Sequence, residues 1–294
     1  MKRIAWIGLG LIGLPMAARL AARGTIVKGF DINPERLRMA ATRGIAAAPN
    51  PAGALVDAEL AFSSLPTEAA LLDVANAAAG QLPREAVFIE TSTVGPEASA
   101  QAARALALHG IACLRAPISG STSLAESGAL TTFVSGPRAA FEAVRPTLEA
   151  YTRAQLWLGE GEEARYAKLA VNLMVAVTAG MMGEALALGR KGGIGWEVLL
   201  DLVGESVVGS PLVKYKLDPL KRRDFTPAAT NALVMKDLDL VVSAAHDAGV
   251  PVPLAARMQT IYRRMIAAGL ADEDFFSVVK ETEREAGLGE PKRS

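Results

Sequence analysis

The 294-residue chain predicts an α/β fold in two parts, a doubly wound and mostly parallel sheet followed by an all-helical C-terminal domain. Three observations lead there. In the first 160 residues, short apolar runs alternate with alanine-rich segments of helical period. A glycine-rich turn stands directly between the first run and the first helical segment. Beyond Gly161 strand signals cease and helical periodicity alone continues.

The apolar runs are Arg3 to Ile7, Ile26 to Phe30, Leu60 to Ser63, Val87 to Glu90, Ala112 to Arg115 and Thr131 to Ser135. Helical segments between them include Leu14 to Arg23, Glu35 to Thr42, Glu68 to Ala79 and Pro96 to His109. Helices are then expected over Glu162 to Lys191, Trp196 to Val203, Pro211 to Leu217, Pro227 to Ala248, Pro253 to Ala268 and Phe275 to Ala286. Gly249 followed by Pro251 is a usual helix stop. This gives a first domain over 1–161 and a second over 162–294, with 162–191 as a long linking helix. The polar tail from Gly289 to Ser294 is expected to fray.

Composition narrows the function. Lysine plus arginine equals aspartate plus glutamate at 31 each, so nothing global attracts nucleic acid and a small molecule is the better default partner. Cys113 is the only cysteine, which excludes an internal disulfide and a cysteine-built metal site and fits a reducing cytoplasm. Lys2 and Arg3 ahead of an apolar stretch outline a secretion signal, but Gly8, Gly10, Gly13 and Pro15 break it and Arg19 and Arg23 follow. Leu169 to Gly189 is apolar enough to suggest a membrane span, yet Asn172, Thr178 and Glu184 interrupt it. A helix buried between domains or subunits is the preferred reading, with no membrane partner. His109 and His246 sit near helix ends before glycines, and no metal site is expected.

The glycine turn has chemical meaning in its context. In Gly8-Leu9-Gly10-Leu11-Ile12-Gly13, Gly8 permits the tight turn, Gly10 lets the backbone approach a pyrophosphate, and Gly13 lets the helix pack close to the sheet. The helix N-terminus offers free N–H groups to phosphates, and Pro15 fits its first turn. This is the Rossmann-type dinucleotide fingerprint. Asp31 ends the next strand about 20 residues on, where a carboxylate accepts from ribose hydroxyls and repels a 2′-phosphate. NAD(H) is therefore favoured over NADP(H). The other reading of Asp31 is a helix cap ahead of Pro34 and Glu35.

Elsewhere the residue reading leaves alternatives open. Lys168 and Asn172 are four apart and share a helix face among Leu169, Ala170, Val171, Leu173 and Met174. Such surroundings desolvate an amine and suit it to acid–base work, or the lysine simply snorkels. Ser119-Gly120-Ser121 follows an apolar run and either receives a carboxylate or forms an ordinary turn. Lys236 is placed on a helical stripe with Ala229, Leu233 and Leu240, and Asp237 is free to pair with a neighbour.

With these segments in view, the sequence resembles the β-hydroxyacid dehydrogenases, typified by 3-hydroxyisobutyrate dehydrogenase. The resemblance rests on GLGLIGLPMA from Gly8, SLPTEAAL from Ser64, ETSTVGP from Glu90, APISGSTSLAESGAL from Ala116, KLAVN from Lys168 and VMKDLDL from Val234. It implies that Leu65 and Pro66 line the cofactor site and that Thr93 approaches the nicotinamide. It further implies that Ser119, Gly120 and Ser121 hold the substrate carboxylate, that Lys168 is the acid/base with Asn172 beside it, and that Lys236 reaches cofactor and substrate. The implied activity interconverts a small 3-hydroxy acid and its semialdehyde by hydride transfer, in a homodimer or homotetramer. An imine reductase using NADPH is an alternative that Lys168 and Asp31 argue against. A non-catalytic cofactor-binding module is another, and Lys168 argues against that too.

Four positions depart from the family pattern. Glu162-Glu163-Ala164 replaces a turn with two glycines, Ser121 replaces a second glycine, Ala229 replaces a bulky aromatic, and Arg115 replaces an aspartate. The last three bear on pocket size and polarity and leave room for a 3-hydroxy acid other than 3-hydroxyisobutyrate.

Overall fold

Strand β1 (Arg3–Ile7) sends alternate side chains to opposite faces, Ile4 and Trp6 into one core and Ala5 and Ile7 into another, and all four are buried. A strand covered on both faces is what a helix-flanked parallel sheet requires. The computed structural model describes residues 2–291, so the fraying expected at 292–294 lies outside the described residues.

The chain continues through α1 (Gly13–Ala22), β2 (Ile26–Phe30), α2 (Pro34–Ala41), β3 (Ala46–Ala47), α3 (Pro51–Leu55), β4 (Leu60–Ser63), α4 (Glu68–Gln81), β5 (Val87–Glu90), α5 (Pro96–Ala107) and β6 (Ala112–Arg115). Then come β7 (Ile118–Ser119), α6 (Thr122–Ser127), β8 (Leu130–Ser135), α7 (Arg138–Leu148) and β9 (Thr152–Gly159). The sheet order is β3-β2-β1-β4-β5-β6-β8-β7, with β9 paired to β8. From β3 to β6 every pairing is parallel, and β8 runs antiparallel to β6 and β7. One core stacks Trp6 on Phe62 at 4.7 Å, with Tyr151 edge-on to both.

Each apolar run read from the sequence forms a strand. The sequence reading lacks β3, β7 and β9. The first two hold two residues each, too few to show a period. In β9, Arg153 and Gln155 break up the apolar pattern, and the strand pairs only β8, so its exposed residues are not confined to one alternating face.

The helical part comprises α8 (Glu163–Lys191), α9 (Trp196–Glu205), α10 (Pro211–Arg222), α11 (Asn231–Asp247), α12 (Pro253–Ala267), a 3₁₀ turn at Phe275–Ser277 and α13 (Val278–Glu285). Helix α10 runs past its expected end at Leu217 and carries Pro219 internally. Helix α11 begins four residues later than expected. Thr230 caps it, accepting from the Leu233 N–H, while the Ala228 N–H and the Ala229 carbonyl are engaged by Asp274 and Phe275. Ala229 is therefore not on a helical stripe with Lys236, as the sequence reading had it.

The chain divides by its internal contacts into two compact units, Met1–Lys168 and Leu169–Ser294. Helix α8 is long and apolar enough to cross a membrane by length and composition, with mean hydropathy 1.6 over its most apolar window. Its exposed apolar residues include Met174, Met181 and Leu188, spaced seven apart.

Candidate active site

Five parallel strands end at one edge of the sheet, and each delivers a segment singled out from the sequence. Strand β1 runs into Gly8, β2 into Asp31, β4 into Ser64-Leu65-Pro66, β5 into Thr91 to Thr93, and β6 into Ala116. The order runs from β1 through β2 to β3 in one direction and through β4 to β6 in the other, so the sheet switches direction between β1 and β4. Ligands of doubly wound sheets bind outside the carboxyl ends of the strands at such a switch.

The three loop glycines have different physical reasons. Gly8 has φ +91°, and a Cβ there would stand 2.2 Å from the Ser64 carbonyl oxygen. A Cβ on Gly13 would meet the Gly8 carbonyl oxygen at 2.1 Å. Both glycines are demanded by the protein itself. Gly10 is not, because a Cβ there would meet nothing within 4 Å. Glycine at a position with open space in front of it fits close approach by a ligand rather than by protein. Leu9 is buried, Gly10 is partly exposed and Leu11 is exposed, so the loop reaches the surface at Gly10. In the first turn of α1, Leu14 and Met16 donate back to the Gly10 and Ile12 carbonyls and Pro15 has no N–H, so it is the Gly13 N–H and the backbone of the loop before it that fit a dinucleotide pyrophosphate.

Asp31 is not the cap of α2. That role belongs to Asn33, whose side chain accepts from the Glu35 N–H. The Asp31 carboxylate accepts instead from the Leu9 N–H at 2.7 Å and from the Asn33 N–H at 2.8 Å. It ties the glycine loop to the end of β2 and keeps lone pairs for further donors.

The next two segments are linked to each other. Ser92 Oγ accepts from the Leu65 N–H at 2.7 Å, and the Ser92 N–H donates to Glu90 Oε1 at 2.7 Å. Leu65 is thus tied to Ser92, the residue before Thr93, by one short network, and Thr67 next to Pro66 caps α4.

Ser119 lies within β7, paired with Thr131, rather than in a free turn. Gly120 has φ +142°, and a Cβ would come 2.6 Å from Leu130 Cδ2, so only glycine suits this corner. Ser121 stands at the start of α6 with its Oγ 2.7 Å from Ser123 Oγ.

Lys168 is half-buried on α8 and ends the first unit. That unit therefore carries Gly8 to Gly13, Asp31, Leu65, Pro66, Thr93, Ser119 to Ser121 and Lys168, whereas Asn172 and Lys236 belong to the second. In the second unit Asp237 joins those two. Asn172 Nδ2 donates to Asp237 Oδ2 at 2.7 Å, and Lys236 Nζ lies 3.2 Å from Asp237 Oδ1.

The sequence reading missed two buried ion pairs at the entry to α8. Arg165 Nη2 pairs with Glu90 Oε2, while Arg165 Nη1 donates to the Ser92 carbonyl at 2.7 Å and Nε to Ser99 Oγ at 3.0 Å. Both side chains are almost fully buried, at 1% and 2% exposure. Arg115 pairs with Glu162, its Nε donating to Oε1 at 2.8 Å. Two of the departures from the family pattern are therefore partners in one contact. A carboxylate at the end of the buried strand β5 was the available signal, since it needs a cation from somewhere. Cys113 lies among these four charges. Its thiol is pushed up to about 12, first by burial, against the lowering effect of Arg115 and Arg165.

Comparison with known proteins agrees with this architecture. Residues 3–159 match the model of the NAD binding domain of 6-phosphogluconate dehydrogenase. Residues 162–282 match that of the NAD-binding domain of NADP-dependent 3-hydroxyisobutyrate dehydrogenase. The chain is 30% identical to 2-(hydroxymethyl)glutarate dehydrogenase of Eubacterium barkeri, over 97% of this chain and 96% of that protein. It is 31% identical to the NAD-dependent L-serine dehydrogenase of Pseudomonas aeruginosa, over 95% of this chain and 97% of that protein. The solved structure of Mycobacterium tuberculosis 3-hydroxyisobutyrate dehydrogenase with L-serine superposes with a TM-score of 0.88 at 28% identity, covering 96% of this chain and 99% of that one. The fold, the two matching domains and these full-length relatives together show that the chain belongs to the β-hydroxyacid dehydrogenase family, as an NAD(P)-binding oxidoreductase.

Proposed function

We propose that the protein interconverts a small 3-hydroxy acid and its semialdehyde with NAD(H), using Lys168 as acid/base. The observation that carries this is the edge of the sheet, where a glycine with open space, a carboxylate and the Leu65 and Thr93 segments follow neighbouring parallel strands. Asp31 supports NAD(H) over NADP(H), because its carboxylate accepts ribose hydroxyls and repels a phosphate.

The bound nicotinamide would supply or accept the hydride. In the oxidation direction Lys168 Nζ takes the hydroxyl proton, and in reduction it returns one to the carbonyl oxygen. The serine hydroxyls and backbone N–H groups of Ser119 to Ser121 receive the substrate carboxylate, with the Lys236 ammonium adding charge. Within the second unit, Asp237 accepts from the amide of Asn172 and its other oxygen lies 3.2 Å from the Lys236 ammonium, so one carboxylate stands beside both polar groups. Relatives acting on serine, threonate and 2-(hydroxymethyl)glutarate support a hydroxy acid other than 3-hydroxyisobutyrate as a candidate, in line with Ser121, Ala229 and Arg115.

The test is a panel of 3-hydroxyisobutyrate, L-serine, L-threonate and 2-(hydroxymethyl)glutarate, each with NAD⁺ and NADP⁺. Turnover with NAD⁺ on at least one acid is expected, together with its loss in Lys168→Ala while NADH still binds. Retained turnover in Lys168→Ala overturns the role of Lys168, and silence across the panel with NADH bound favours a binding module.

A homodimer or homotetramer in the cytoplasm belongs to the same proposal. The stripe of Met174, Met181 and Leu188 on α8 is apolar surface that a second copy would cover, and a lone buried Cys113 suits a reducing compartment. Light scattering that returns a monomer contradicts the oligomer.

A further inference from the structure

We infer that Arg165 is a positioning residue for the reaction, fixing the Leu65 and Thr93 segments against the first turn of α8. This rests on the reading of Lys168 as acid/base. A guanidinium in water or on a surface would carry no such meaning. Arg165 is almost fully buried, and its three donor contacts go to the end of β5, the loop that follows it and the first turn of α5. One donor meets the Glu90 carboxylate, one the Ser92 carbonyl and one Ser99 Oγ. The network continues from there. Glu90 Oε1 holds the Ser92 N–H, and Ser92 Oγ holds the Leu65 N–H. A single planar fork on α8 thus reaches both segments that the family resemblance places along the cofactor.

Lys168 stands three residues beyond Arg165 on the same helix. Three residues is close to one helical turn, so the backbone of Lys168 is set by wherever Arg165 is anchored. The distance from the Thr93 segment to the first turn of α8 is then determined by the Arg165–Glu90 contact rather than by flexible loop packing. A second strap acts at the same helix entry, where Arg115 at the end of β6 holds Glu162. Two adjacent strand ends, β5 and β6, therefore clamp one helix start. Neither pair needs to touch a substrate to matter, because hydride and proton transfer are sensitive to displacements of about 1 Å.

The test separates positioning from plain stability. Turnover is measured per NADH-binding site, titrated by NADH fluorescence, with the panel acid that gives the highest kcat/KM. Arg165→Lys keeps the charge but loses the fork, and kcat per site is expected to fall at least ~20-fold with KM for the acid changed less than about threefold. Glu90→Gln should act in the same direction, and Ser99→Ala, which loses one contact of three, by roughly threefold. Should Arg165→Lys fail to fold, Glu90→Gln and Ser99→Ala carry the same test. A purely structural role would lower melting temperature and the number of NADH sites but leave kcat per site at the parental value, and that result overturns the proposal. Lys168→Ala is run alongside. If it is inactive while the other variants keep parental kcat per site, only the positioning role fails. If Lys168→Ala turns over normally, the acid/base reading fails and this inference fails with it.

Discussion

Arg115 and Glu162, 47 positions apart, meet through two nitrogens on one carboxylate oxygen, Nε at 2.8 Å and Nη2 closer still. Side-chain exposures of 10% and 16% place the pair mostly out of water. Arg115→Met or Glu162→Gln alone should cost about 2 kcal/mol, somewhat below the range for fully buried pairs. The double variant should recover most of that loss, since no charge is then stranded. Urea denaturation of the two single variants and the double variant closes a mutant cycle, and strict additivity would show that the contact contributes nothing.

The glycine loop offers a contrast within six residues. Gly8→Ala forces a side chain onto φ +91° and against the Ser64 carbonyl, so the fold should lose roughly 2 kcal/mol or more. Gly10→Ala meets open space, so stability should stay within ~0.5 kcal/mol while NADH affinity drops at least about tenfold. Melting curves and NADH titration of the two variants read both effects.

Asp31 has two duties, one toward the protein and one toward the cofactor. Asp31→Ala strands the Leu9 N–H and should cost about 1 kcal/mol. It should also raise the ratio of NADP⁺ to NAD⁺ in kcat/KM, because the repulsion of a 2′-phosphate goes with the carboxylate. An unchanged ratio removes Asp31 from the selectivity argument.

Cys113 should ignore thiol reagents in the native state at pH 8, where a thiol pushed up to about 12 from the ordinary 9.0 stays protonated and buried. The unfolded chain titrates its thiol near 9.0, so it holds fewer protons than the folded chain above that pH. Stability therefore falls as pH rises from about 9 toward 12, and Cys113→Ser or Cys113→Ala should remove that part of the slope. Labelling under native and denaturing conditions, with urea melts between pH 8 and 10, measures both.

The sequence by itself determined the parallel sheet, its strand runs and the glycine loop, because each answers to short-range demands. Period, turn chemistry and left-handed φ are visible within a few residues. It left Asp31 between two roles, and the contact with Leu9 decided that Asn33 caps α2 instead. Tertiary structure alone decided the rest. Arg165 finds Glu90 across 75 positions, Arg115 finds Glu162 across 47, and Asn172 finds Asp237 across 65. Read in a row, Arg115 and Glu162 are separate departures from the family pattern, and nothing local singles out Arg165. Burial is what pairs them, since a charge taken out of water must find its partner wherever the fold brings one.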